Sequence, residues 1–340
     1  MIPGPRHGAR PGAMRDSAEF RRIRALIDSV AAPCSEALLG PGDDAAIVES
    51  PGRQCLVVST DLSVERVHFR REWLTWNAIG FRATAAAISD LAAMAARPIG
   101  VLVSLAVPPE ADARTLDELA SGIGECLREN GACLLGGDLS QSPGPVFIDV
   151  TVIGSADVPV RRSGARPGDE LWVTGRLGGA ALAAASWAAG LEPDPRARRA
   201  FERPPSRTGA ARMLCETADV HALIDLSDGL AGDAEQMAAA SGVRLVVESA
   251  RVPLHPALED WAQPEVALGM AVGGGEDYEL LAAMPPGMAG VAAAELAREY
   301  GLDLSCVGRV EAGEGVEWHD ARGEIISRPA GGFDHFDVES

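Results

Sequence analysis

Seven aspartates set beside glycine, serine or other small residues constrain this chain more than any other feature: Gly42-Asp43-Asp44, Ser59-Thr60-Asp61, Ser89-Asp90, Gly136-Gly137-Asp138 and Asp225-Leu226-Ser227-Asp228-Gly229. Any one Gly-Asp pair reads as a turn, because Asp hydrogen-bonds its own loop and Gly accepts positive φ. The same arrangement in five places calls for a common cause, a fold that gathers acids from distant segments. Gathered without a cation, each pair 4 Å apart would repel by about 4 kcal/mol at an effective dielectric of 20. Carboxylates with neither His nor Cys beside them suit Mg2+ and phosphates better than zinc or a soft metal.

The 340 residues exceed what one core usually fills, so two domains are expected. Aromatic content of 4% with abundant Ala and Gly predicts tight helix-on-sheet packing. A formal charge of −19 argues against a nucleic-acid binder, which needs basic patches. All 30 basic residues are arginine. That removes a Walker A lysine, a lysine Schiff base and a kinase strand lysine together, leaving metal, arginine and backbone N–H groups for any phosphate chemistry. Cys34, Cys55, Cys126, Cys133, Cys215 and Cys306 form no C-x-x-C pair and read as buried thiols in a reducing compartment. With no apolar run of membrane-spanning length and no signal-peptide core, a soluble cytoplasmic protein is expected.

Along the chain, residues 1–16 lack apolar periodicity and read as a disordered arm. Asp16 and Glu19 form a capping box for a helix ending before Pro33. A helix is predicted from Trp76 to Ala96, with Asp90 in an otherwise apolar stretch, where it either caps a turn or needs a partner. The strand Gly100 to Val107, the helix Thr115 to Asn130, a short strand Cys133 to Leu135 that delivers Gly136-Gly137-Asp138, and the strand Val146 to Ile153 follow. The last looks antiparallel to its neighbour, which favours a sheet with helices on one side. From Val160 a second unit opens with a basic turn and the strand Leu171 to Thr174. Gly175, Gly178 and Gly179 then enter an alanine-rich helix, as a phosphate-binding turn or merely for close packing. Leu191 to Ser206, with four prolines, reads as an exposed connection. The helices Gly232 to Ala240 and Ala289 to Tyr300 alternate with the strands Val243 to Val247, Glu279 to Ala283 and Ser305 to Val310.

A two-carboxylate glycosidase is the chemical rival, but such sites surround a sugar with aromatic platforms, in which this chain is poor. None of the six histidines sits in a nucleophile signature.

Taken in order, Gly-Asp-Asp-Ala-Ala, Ser-Thr-Asp with His68-Phe69 downstream, Ser-Asp-Leu-Ala-Ala-Met, Gly-Gly-Asp, Arg-Ser-Gly-Ala-Arg-Pro-Gly-Asp, Ile-Asp-Leu-Ser-Asp-Gly-Leu, Gly-Gly-Glu-Asp-Tyr-Glu-Leu and Gly-Phe-Asp-His-Phe resemble the thiamine-monophosphate kinase family from about Glu19 to Phe336. That family sits in the aminoimidazole ribonucleotide synthetase superfamily. The resemblance implies an N-terminal α/β domain (17–157) that binds ATP and Mg2+ and pairs its sheet across a homodimer, and a C-terminal α+β domain (158–340). It implies ATP-dependent phosphorylation of thiamine phosphate to thiamine diphosphate by in-line transfer, with no general base. By position it implies metal binding at Asp44, Ser59, Thr60, Asp61, Asp90, Asp138, Asp225 and Asp228, with Asp61, Asp138 and Arg162 acting electrostatically. Nucleotide contacts fall at Gly137, Asp138, Arg162 and Ser227, and substrate contacts at His68, Glu276 and Phe333. On the residues alone, Phe333 could anchor the core, Glu276 serve a turn and His68 lie on the surface. A ring-closing synthetase of the same superfamily and a non-catalytic thiamine phosphate-binding paralogue remain as rivals. The chain departs from the family pattern at Arg66, usually Gly, at Ala87, usually Asn, and at Leu139, usually Thr.

Overall fold

A computed structural model describes residues 37–39, 43–50, 52, 54–259 and 263–327. The predicted arm, its following helix, Gly42 and Phe333 lie outside the described residues.

The first sheet holds β1 (Ala37–Leu39), β2 (Ala46–Val48), β3 (Cys55–Val64), β4 (Arg97–Val107), β5 (Cys133–Gln141) and β6 (Phe147–Ala156) in the order β1-β2-β3-β6-β4-β5. Its spine is the antiparallel β3–β6 ladder, in register from Cys55 opposite Ala156 to Val64 opposite Phe147. The expected β5–β6 pairing does not occur: β6 lies between β3 and β4, and β5 runs parallel to β4 as an edge strand. β5 also runs on through Gly136-Gly137-Asp138 instead of stopping before it. Gly137 lies so close to Val103 that a Cβ there would meet its carbonyl oxygen at 2.0 Å, so glycine keeps the ladder going where a turn was expected.

Two helices, α1 (Trp76–Ala93) and α2 (Ala113–Glu129), cover one face of this sheet. Thr75 caps α1 by accepting the Ala78 N–H at 3.2 Å. α1 is apolar nearly all round because it is buried all round, packed on β3, β6 and α2 and also on elements of the second unit. Its contact with α2 is backbone to backbone, since a Cβ on Gly122 would stand 1.9 Å from the Asn77 carbonyl oxygen. The abundance of small residues is realised there as closeness. Asp90 is not at a turn: it lies inside α1, one residue after the buried Ser89.

The second sheet has the order β13-β12-β9-β11-β7-β10-β8 and comprises β7 (Glu170–Thr174), β8 (Ala222–Asp225), β9 (Arg244–Glu248), β10 (Leu280–Met284), β11 (Leu304–Glu311), β12 (Gly315–His319) and β13 (Ile325–Ile326). Its pairings are antiparallel except β9 with β12. The associated helices are α3 (Gly179–Ala188), α4 (Pro195–Glu202), α5 (Thr208–Thr217), α6 (Leu230–Ser241), α7 (Pro256–Glu259), α8 (Pro264–Gly273) and α9 (Ala289–Tyr300). The segment expected as an exposed connection contains α4. Pro195 suits a first helical turn, Asp194 caps it, and Ala197 and Phe201 are buried. The glycines before α3 serve packing. A Cβ on Gly178 would strike the Ala271 backbone, and the helix start is already occupied by the Asp277 side chain, which accepts the Gly178 N–H at 2.8 Å.

The five described cysteines are free thiols, and only Cys126 is fully buried, with Cys133 exposed on the edge strand. Among the described residues no helix is long and apolar enough to cross a membrane.

Candidate active site

Acids from both units meet beside α1. Asp44 precedes β2, Asp90 comes from α1 and Asp225 ends β8; carboxylate oxygens from the three lie within 4.8 Å of one another. Hydroxyls from neighbouring positions hold two of them. Ser59 Oγ donates to Asp90 Oδ2 at 2.5 Å, and Ser89 Oγ donates to Asp225 Oδ2 at 2.5 Å. Successive residues of β3 face opposite sides, so Ser59 reaches α1 while the Thr60 hydroxyl reaches Asp149 (2.8 Å) and Thr151 of β6. Asp43 supports the turn, its Oδ1 accepting the Asp44 N–H at 3.0 Å and the Arg162 N–H at 3.3 Å.

The charge balance leaves room for a cation. Arg162 Nη2 contacts Asp44 Oδ1 at 2.7 Å. Burial alone would weaken this guanidinium's hold on its proton, but Asp44 and Asp43 outweigh it, so Arg162 stays charged. Burial and then Asp225 and Asp43 push the Asp44 carboxyl up to about 8, although Arg162 pulls the other way. The opposed tendencies of this ion pair have one physical cause: a single guanidinium faces several acids and cannot neutralise them all. Burial, then Asp225, raises Asp61 to about 6 and raises Asp90 well above its ordinary range; burial raises Asp225 too. Asp44 Oδ2 is buried and has no hydrogen-bond partner. An orphaned carboxylate oxygen among clustered carboxylates and hydroxyls fits a hard divalent cation held by Asp44, Asp90 and Asp225.

A cavity of about 590 Å³ opens onto Asp90 and Asp225 and is lined also by Asp61, Ser227 and Asp228; Asp44, Ser59 and Arg162 stand behind that lining. Part of its wall is apolar, from Phe69, Trp73, Phe201 and the alanines of α3, and Arg66, Arg70 and Arg82 also line it. His68 and Glu276 line it as well. The His68 Nδ1 accepts the Val64 N–H at 2.9 Å, which fixes the ring against the end of β3. Glu276 is held by Arg82 and by Tyr278 Oη at 3.3 Å.

Gly137 and Asp138 are not brought to this cavity. They lie on β5, three strands across from β3, about 14 Å at ordinary strand spacing, with Asp138 exposed. Two buried groups were missed from the sequence. Arg82 is a lone cation in the alanine stretch of α1, and the reasoning that singled out Asp90 there applies to it equally. Asp233, in the first turn of α6, accepts the Asp228 N–H at 3.1 Å; in sequence it looks like an ordinary acid complementing a helix start.

Residues 42–156 match the AIR synthase related protein, N-terminal domain, and residues 166–320 match the AIR synthase related protein, C-terminal domain. Thiamine-monophosphate kinase from Rhodopirellula baltica is 35% identical over 82% of this chain and 85% of its own length. The Mycobacterium tuberculosis enzyme of the same name is 38% identical over 78% and 80%. Among solved structures, AaThiL complexed with AMPPCP and TMP superposes with a TM-score of 0.79 at 29% identity, covering 94% of this chain and 97% of that one. Matched in both domains and along most of its length, the chain belongs to the thiamine-monophosphate kinase family.

Proposed function

We propose that the protein transfers the γ-phosphoryl group of ATP to the phosphate of thiamine phosphate, forming thiamine diphosphate and ADP. The carrying observation is the convergence of Asp44, Asp90 and Asp225, with the unpartnered Asp44 Oδ2, beside a cavity of about 590 Å³ that Asp90 and Asp225 line. The nucleophile is an oxygen of the thiamine phosphate monoester, already ionised at neutral pH because its second pKa is about 6. It attacks the γ-phosphorus as the bond to the β,γ-bridging oxygen breaks, and that oxygen leaves on ADP. No proton has to be removed, which fits a cavity whose histidine already spends Nδ1 on the backbone. Mg2+ held by Asp44, Asp90 and Asp225, with Ser59, Asp61 and Asp228 at hand, would supply charge neutralisation for the phosphates, while the Thr60 hydroxyl faces the other side of the sheet. Arg162 orients Asp44, and Ser227 and Asp228 border the space for the phosphates. Glu276 and His68 meet the organic part of the substrate, and its rings lie against the apolar wall.

We extend this to a homodimer. β5 is an exposed edge carrying Leu134, Leu135 and Leu139, Leu102 is exposed on the adjacent β4 and Leu62 on β3 of the same sheet, an apolar area that a second copy would cover. Gly137 and Asp138, proposed as nucleotide contacts, sit on that same edge. Free thiols support a cytoplasmic setting. The test is incubation with ATP, Mg2+ and thiamine phosphate, with thiamine diphosphate and ADP followed by chromatography. Equal yields of both are expected. Binding of thiamine phosphate without product would favour the non-catalytic paralogue.

A further inference from the structure

Arg82 is the buried cation in the cavity wall that the proposed chemistry does not use. It projects from α1 and gathers segments of both units. Its Nη2 pairs with Glu276 Oε2 and lies 3.4 Å from the His68 carbonyl oxygen; its Nη1 donates to the Phe201 carbonyl at 2.5 Å. The guanidinium carbon sits 3.7 Å from the centroid of the Phe201 ring, which forms part of the apolar wall. His68 belongs to the segment after β3, Phe201 to α4 and Glu276 to the loop before β10.

Glu276 needs such a hold. Its φ is 73° and that of Tyr278 is 50°, left-handed backbone that non-glycine residues adopt only when their surroundings enforce it. The Glu276 N–H donates to the Ser227 carbonyl at 2.8 Å, so this loop also touches the Asp225–Asp228 segment. On the same helix as Arg82, eight residues further on, stands Asp90. Eight residues of α-helix span about 12 Å. α1 therefore carries at one position an acid of the proposed phosphate site and, about 12 Å away, the clamp on a proposed substrate contact.

We propose that Arg82 is a positioning residue for thiamine phosphate: it fixes Glu276 at a set distance from Asp90, so that a substrate held at its ring end presents its phosphate to the acids. This rests on the kinase reading above. Burial lowers the Arg82 pKa to about 10, which leaves it charged at neutral pH and able to hold Glu276. A glutamine at this position would keep polarity but lose the charge, the planar fork and part of the reach; a lysine would keep the charge without the fork.

The test is steady-state kinetics of wild type, R82Q, R82K, E276Q and R82Q/E276Q, varying each substrate separately. R82Q raises KM for thiamine phosphate by at least about tenfold, as expected for loss of a charged hydrogen bond, and leaves KM for ATP within about twofold. R82K recovers part of the loss and provides the same reading should R82Q not accumulate as folded protein. The double variant is no worse than the worse single one, the non-additivity of residues acting through each other. Equal rises in both KM values, an unchanged KM for thiamine phosphate with only a lower Tm, or additive effects would overturn the role of Arg82. A wild type that makes no thiamine diphosphate would overturn the kinase reading and this inference with it. A productive wild type with an indifferent R82Q would overturn the inference alone.

Discussion

At the scale of single residues, the acids of the cavity trade stability for charge. Asp61 and Asp90 are buried where their charge is opposed, so replacing either by its uncharged isostere relieves repulsion while removing a proposed metal contact. Asp61→Asn is expected to lower turnover by at least about 100-fold, as removal of a preorganised electrostatic group does. The same variant should raise the Tm of the metal-free protein. Unimpaired turnover would remove Asp61 from the metal site. Arg66 shows the opposite bargain. It is one of the positions at which the sequence departs from the pattern that the resemblance implies, its φ is 71°, and it lines the cavity. Arg66→Gly is expected to stabilise the fold by about 0.5–1 kcal/mol in urea titrations, because glycine adopts this backbone freely. A lower urea midpoint would mean that the Arg66 side chain holds the turn. Ala87 and Leu139, the other departures, sit in a fully buried helix position and on the exposed edge strand, neither in the cavity wall.

Among the elements, α1 carries the most consequence, since it bears Arg82, Ser89 and Asp90 and touches both sheets' structures. Its placement depends on Gly122 of α2, where any Cβ would collide with the Asn77 carbonyl oxygen. Gly122→Ala should destabilise the protein by about 1–3 kcal/mol, as overpacking does, and depress turnover beyond the fraction unfolded. Normal Tm with normal turnover would show that the two helices can part without consequence. Much of this element was legible in sequence: its apolar run, its start before Trp76 and the anomaly of Asp90 are local signals. What was not legible is pairing across distance. Nothing near Asp90 announces Asp225, and nothing near Arg82 announces Glu276, 194 residues away. The edge position of β5 was missed for a like reason, because strand order depends on which strand fills the gap between β3 and β4. α4 was hidden by its prolines, which read as a loop but suit a helix start.

For the whole molecule, the acids link folding to pH and to divalent cations. The ordinary aspartate value of 3.8 is raised to about 6 at Asp61 and about 8 at Asp44, with Asp90, Asp225 and Asp233 shifted the same way, burial being the first cause in each. The folded state thus binds these protons more tightly than the unfolded chain. Their contribution to stability is complete below about pH 4 and is lost as pH rises through about 6 to 8, the reverse of an ion-paired carboxylate. In chelator, Tm is expected to fall between about pH 5.5 and pH 8.5. The net charge of −19 pushes in the same direction through surface repulsion, but that part is screened by salt, with a Debye length of about 3 Å at 1 M, whereas the buried cluster is not. The fall should therefore persist in high salt and shrink in Asp61→Asn. Saturating Mg2+ replaces the missing protons and should restore Tm most at the alkaline end, since a ligand stabilises whichever state it binds. A Tm that rises with pH in chelator, or a Mg2+ effect equal at both ends of the range, would mean that these acids are not the cation site.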